Sequence, residues 1–126
     1  MALRVGTDLV LIDTVRESIE NHAEHYLKRI YTEREIADCR TAKGIDPERL
    51  AARFAAKEAT LKVLRPRDQG IPWNTIEVLR DPNGWVELEL SGAAAALASE
   101  GRISDLSLSI AHEGGFATAV VVAHCA

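Results

Sequence analysis

Aromatic residues make up only 5% of this 126-residue chain, cysteine occurs twice, and no charge sign dominates. Each scarcity excludes something. Cys39 and Cys125 are the only thiols and lack metal-ligand spacing, so a disulfide framework is disfavoured and a reducing compartment fits best. The formal net charge of -4 argues against a nucleic-acid partner, because nonspecific binding is driven by phosphate neutralisation. A small local basic pocket is still compatible with it. The longest apolar run, Phe116 to Ala123, is far too short to span a membrane. Arg4, Asp8 and Asp13 interrupt the N-terminal stretch before the apolar core of a signal peptide could form. A cytoplasmic protein without membrane association is expected.

What is present is an ordinary globular balance, 47% hydrophobic and 27% charged residues, enough for a single domain over residues 1–126. Leu3 to Val10 predicts a first strand, with Gly6 allowing close backbone approach. Thr14-Val-Arg-Glu17, preceded by Asp13, predicts a capping box that opens a helix. Thr32-Glu-Arg-Glu35 predicts a second one, for a short helix through about Arg40. After a loop over 43–47, Asp46 as N-cap and Pro47 as first helical residue begin a long helix to Leu64, stopped by Pro66. The second half predicts strands at Thr75–Arg80 and Trp85–Leu90 around the Asp81-Pro-Asn-Gly84 turn, then an alanine-rich helix from Ser91 to Glu100 closed by Gly101. Two more strands, Asp105–His112 and Phe116–His124, join at Glu113-Gly-Gly115. The fold class expected is α+β, a mainly antiparallel sheet packed against a long helix.

The long helix carries an unusual load of charge. At about 100° per residue, Leu50, Phe54, Leu61 and Leu64 point within roughly 80° of one another, and Lys57 falls inside that arc. Glu58 and Lys62 lie along one border; Arg49 and Arg53 lie along the other. Lys57 reads two ways, as a snorkelling lysine or as an ammonium that needs a counter-charge, which a polyanionic ligand would supply. Asp8 reads as a turn former or as a carboxylate facing a second element. His112 shares its strand face with Leu106, Leu108 and Ile110, and reads as a bonded core histidine or as a site residue.

Taken in order, three blocks carry a resemblance: GTDLVLIDTV (6–15), RFAAKEATLK (53–62) and SIAHEGGFATAVVVA (109–123). YTEREIADC (31–39) and IPWNTIEV (71–78) extend it nearly end to end. They resemble the G-x-D strand, the K-E-A-x-x-K helix, the S-x-x-H strand, the F-T-x-x-E short helix and the W-x-x-I-E-V strand of the acyl-carrier-protein synthase family, the short 4'-phosphopantetheinyl transferases. The resemblance implies transfer of phosphopantetheine from coenzyme A to a serine of an acyl carrier protein, releasing adenosine 3',5'-bisphosphate. It implies one Mg2+ held by Asp8 and Glu58, oxygen ligands that suit this hard ion. Lys62 would contact the pyrophosphate as charge develops on the leaving group, and Glu58 or a water would activate the serine. Arg53, Lys57 and His112 would hold the nucleotide end of coenzyme A. The resemblance also implies a homotrimer with active sites between neighbouring subunits.

Two departures from that pattern bear on function. Where the family has a glycine-rich loop near coenzyme A, this chain reads RPRDQG (65–70), so Arg65 and Arg67 stand either for phosphate contacts or for a solvated turn. The first helix, basic in the family and used there to dock an acidic carrier, offers Arg16 for docking but follows it with Glu17, Glu20 and Glu24, with Lys28 and Arg29 only near its end. Docking by charge complementarity on that helix is weakened. Two other functions compete with the transferase: a non-catalytic coenzyme A or carrier-binding module, and a Mg2+-dependent phosphate-ester hydrolase. Retention of Asp8, Glu58, Lys62 and His112 together speaks against the first, and the lack of a second acidic cluster against the other.

Overall fold

A computed structural model describes residues 2–126. Strand β1 (Ala2–Leu11) runs directly into helix α1 (Ile12–Ile30), followed by α2 (Glu33–Asp38) and a two-residue hairpin, β2 (Arg40–Thr41) and β3 (Gly44–Ile45). Helix α3 (Pro47–Leu64) comes next, then a single 3-10 turn at Trp73–Thr75, hairpin β4 (Ile76–Arg80) and β5 (Val86–Leu90), helix α4 (Gly92–Glu100), and strands β6 (Ile103–Glu113) and β7 (Phe116–Cys125). The main sheet has the order β1-β7-β6 and every pairing is antiparallel, as the α+β expectation required. Among the described residues no helix is long and apolar enough to cross a membrane.

Local chemistry explains most boundaries. Thr32 accepts from the Glu35 amide while the Glu35 carboxylate accepts from the Thr32 amide, the reciprocal pair a capping box needs. Asp46 accepts from the Glu48 amide and Pro47 occupies the first turn of α3, also as expected. The capping box at Thr14 is not there. Helix α1 starts three residues earlier, at Ile12 with Leu11 as its N-cap residue, without a side-chain cap. The Ile12 amide donates to the Gly115 carbonyl in the β6–β7 turn, so a tertiary contact meets a free amide at the actual helix start. Within α1, Ala23 breaks the helix at φ 42°, ψ −121°.

Helix α3 lies across the inner face of the sheet, and its buried surface is far wider than the predicted 80° arc. Ala51, Ala52, Ala55, Ala56 and Ala59 are all buried, meeting Ala117, Ala119, Val121 and Ala123 of β7. Small residues on both sides let helix and strand approach closely. Gly6 takes this furthest: a Cβ there would collide with the Ala59 carbonyl and press on the Lys62 side chain. That close approach brings Asp8, two residues on, to the same flank of α3 as Lys62.

The opposite face of the sheet is uncovered. Leu3, Val5, Leu9 and Leu11 of β1 and Phe116 and Val120 of β7 are all exposed, a contiguous apolar surface on neighbouring strands.

Candidate active site

Three of the predicted residues gather where β1 crosses α3. The Lys62 ammonium donates to the Thr7 carbonyl at 2.7 Å and reaches the Asp8 carboxylate at 3.4 Å. The Asp8 carbonyl accepts from the Thr118 hydroxyl at 2.9 Å, which ties this part of β1 to β7. Glu58 stands one turn before Lys62 on the same helical stripe. Its carboxyl is pushed above the ordinary range, first by burial and then by the Asp8 charge, with Lys62 pulling it back. Two carboxylates that repel one another, with a single ammonium on their rim, are a cation-seeking arrangement. Among the described residues no third His, Cys, Asp or Glu joins them. The pair therefore fits Mg2+, which takes few protein oxygens and completes its shell with water and substrate phosphate.

A second cluster forms around the first half of α3. Arg53, Arg49, Arg80 and His112 line a cleft of about 330 Å³ together with Asp46 and Glu48. Arg53 is fully buried, yet its Nε and Nη2 have no hydrogen-bond partner. Its Nη1 donates to the Arg49 carbonyl at 3.3 Å, and the Asp38 carboxylate stands 3.8 Å from Nη2. A buried guanidinium with idle donors at a cleft is a ready site for an anion. His112 is 54% exposed at the end of β6, 3.7 Å from Glu48, so the core-histidine reading fails. Arg80 joins this cluster only through the fold. It sits on a hairpin strand that the sequence showed to be a strand and nothing more.

Lys57 goes elsewhere. Its side chain is wholly buried and its ammonium donates to Glu35 at 2.7 Å, the Trp73 carbonyl at 3.0 Å and the Ile76 carbonyl at 2.6 Å. Burial pulls its affinity for the proton below the ordinary lysine value and Glu35 opposes this. All three ammonium hydrogens are committed, so the counter-charge is Glu35 and not a ligand, and Lys57 is removed from the coenzyme A contacts. Glu35 is equally engaged, accepting also from the amides of Thr32 and Val78. This pair ties α2, α3 and β4 together. Sequence reasoning had used Glu35 only as a cap.

Two further expectations place away from both clusters. Arg16 is exposed near the start of α1 and bonded to Asp13, which offsets its charge. Arg65 and Arg67 face a separate cleft of about 720 Å³ shared with Arg4, Leu64, Leu97 and Glu100.

Residues 4–121 match the family model described as the 4'-phosphopantetheinyl transferase superfamily. The chain belongs to that superfamily. Within it, the near-full-length matches are to enzymes of the acyl-carrier-protein synthase type. The holo-(acyl-carrier-protein) synthase of Salinispora arenicola is 40% identical over 123 residues, covering 98% of each chain. That of Caldanaerobacter subterraneus subsp. tengcongensis is 37% identical over 98% of this chain and 95% of its own. Among solved structures, a Chronobacterium ammoniagenes synthase in complex with coenzyme A superposes with a TM-score of 0.86 at 33% identity, covering 100% of this chain and 99% of that one. The Helicobacter pylori synthase, also with coenzyme A, gives 0.81 at 28% identity over 95% and 99%.

Proposed function

We propose that this chain transfers the 4'-phosphopantetheine group of coenzyme A to a serine of an apo acyl carrier protein, with Mg2+ as cofactor and adenosine 3',5'-bisphosphate as by-product. The observation that carries the reading is the division of labour along α3. One stripe bears Glu58 and Lys62, which Asp8 of β1 joins, and another bears the under-bonded Arg53. Coenzyme A needs both, since it carries a pyrophosphate to be cleaved and a phosphorylated nucleotide to be held.

In the reaction the serine oxygen forms a bond to the phosphorus that carries pantetheine, and the bond from that phosphorus to the bridging oxygen breaks. The bisphosphate leaves with the electron pair, and the serine proton passes to Glu58 or to a water beside it. Lys62, already at the Asp8 carboxylate, is placed to offset charge on the departing oxygen. Asp8 and Glu58 would hold the Mg2+, which when bound polarises the pyrophosphate. Arg53 and His112, with Arg49 and Arg80 beside them, hold the nucleotide end.

The reading includes a cytoplasmic homotrimer with sites between subunits. Arg53 and Glu58 are five residues apart, hence about 140° apart around α3, so one subunit offers its two clusters in different directions. A ligand touching both kinds of cluster is more readily held between neighbours. The uncovered apolar face of β1 and β7 supplies surface for such an association.

The test is the intact mass of an apo acyl carrier protein incubated with this protein, coenzyme A and Mg2+, with and without chelator. A chelator-sensitive gain of one phosphopantetheine is expected. No gain on several carriers, with coenzyme A still bound, would replace the transferase by a binding module.

A further inference from the structure

The cleft beyond the end of α3 is built from residues that the transfer reaction leaves unused. Three guanidinium groups, those of Arg4, Arg65 and Arg67, line it against one carboxylate, Glu100, with Leu64 and Leu97 as apolar walls. Among the described residues none of the three is in an ion pair.

Arg4 is held in place, and Arg65 is marked by its backbone. Arg4 donates to the Val63 carbonyl at 2.8 Å, and its guanidinium occupies the space that a side chain at position 101 would need; a Cβ on Gly101 would stand 3.0 Å from Nη1. Arg65 caps α3 in the left-handed region, at φ 55°, where glycine is the favoured residue and any other side chain is strained. Strain of this kind clusters at functional sites, which points to a use for the side chain.

The location gives that use a direction. Arg65 follows Lys62 by three residues, so the cleft opens just beyond the end of the helix on which the chemistry is proposed. Helix α1 meanwhile presents Asp13, Glu17, Glu20 and Glu24, and its Arg16 is offset by Asp13. Lys28 and Arg29 come only in the last turn of that helix, so a carboxylate-rich partner is repelled by its first half and attracted at the cleft, and in a chain of net charge -4 this local positive field is what would guide it.

We propose that the Arg4–Arg65–Arg67 cleft docks an acidic segment of the carrier protein, placing the acceptor serine beside Glu58 and Lys62. This rests on the transferase reading. The guanidinium groups would take carboxylates in paired hydrogen bonds, and Leu64 and Leu97 would receive an apolar side chain of the same segment.

The variant Arg65→Gly/Arg67→Glu tests it. Glycine relieves the strain at position 65, so the variant should melt no lower than the parent. With apo carrier varied at saturating coenzyme A, its KM for carrier should rise about tenfold and depend less on salt, while kcat and the KM for coenzyme A hold. Arg16→Ala should leave the carrier KM within about twofold. An unchanged carrier KM overturns the proposal. So does a raised KM for coenzyme A alone, which would assign the cleft to the donor. Two readouts separate the readings: no transfer by the parent in the turnover assay refutes the transferase, whereas equal binding of apo carrier by parent and variant in calorimetric titration without coenzyme A refutes the cleft.

Discussion

Replacing Lys57 by alanine should unfold this protein well before it disturbs coenzyme A binding. The ammonium is wholly buried with Glu35 at 2.7 Å and two carbonyls at 3.0 and 2.6 Å. Its removal leaves the Glu35 carboxylate buried with only the amides of Thr32 and Val78, and leaves the carbonyls of Trp73 and Ile76 each short of a donor. Removing one partner of a buried ion pair typically costs about 3–5 kcal/mol. Even the low end is a large fraction of the stability of a domain this size, about 5–15 kcal/mol in total. Urea denaturation should show the midpoint falling with little change in slope. The double variant Lys57→Met/Glu35→Gln should recover at least about 1 kcal/mol relative to the sum of the single changes, because the stranded charge is gone. At a temperature where Lys57→Ala remains folded, its KM for coenzyme A should match the parent. A loss below about 1 kcal/mol together with a raised KM would refute the reasoning, since it would mean that the ammonium serves a ligand.

Asp8→Asn and Glu58→Gln should each abolish transfer while leaving the circular dichroism spectrum intact. The same pair makes cation binding depend on pH. Because the folded Glu58 carboxyl holds its proton above the ordinary value of 4.5, its stabilising contribution is complete at low pH and fades as pH rises through that window, when Asp8 and Glu58 become two facing charges. Mg2+ should therefore raise the melting temperature at pH 7.5 and not at pH 4, and Asp8→Asn should erase the shift; equal shifts at both pH values would remove the pair from metal binding. Gly6→Ala forces a methyl into the Ala59 carbonyl and should cost about 3 kcal/mol, read by thermal melting. Ala23→Gly should do the opposite, because φ 42°, ψ −121° is a conformation that glycine alone adopts without strain; a gain of about 1 kcal/mol, or about 4 °C, is expected.

The parts legible in the sequence are those decided by neighbours along the chain. The Thr32 cap, the Asp46-Pro47 helix start and the close approach at Gly6 each depend on residues within a turn or on the lack of a side chain. Thr14 misled because its pattern was complete, yet the helix already begins at Ile12, whose amide meets the Gly115 carbonyl in the distant β6–β7 turn. Asp8, Glu58 and Lys62 could be read as a group because two lie four residues apart and the family motif supplies the third. Arg80 and Thr118 could not, since each reaches its partners only through hairpin or sheet packing, and the second role of Glu35 could not, since Lys57 meets it only where α2 packs on α3.

The hardest distinction was between Arg53 and Lys57, two basic residues four positions apart on one helix, both fully buried. Period and hydropathy treat them alike. Their difference is in what faces them: a carboxylate and two carbonyls for Lys57, and for Arg53 one carbonyl at 3.3 Å and a carboxylate at 3.8 Å, with Nε and Nη2 left idle. Opposite signs follow for the same substitution. Arg53→Met fills similar volume and removes donors whose burial without partners costs about 1–3 kcal/mol, so it should melt at or above the parent temperature. Its KM for coenzyme A should rise at least tenfold, with dephospho-coenzyme A less affected because that ligand lacks the terminal phosphate. Lys57→Met should lose stability and keep its KM. If Arg53→Met were destabilising with an unchanged KM, the idle donors would have been serving the fold, and the anion site would lose its central residue.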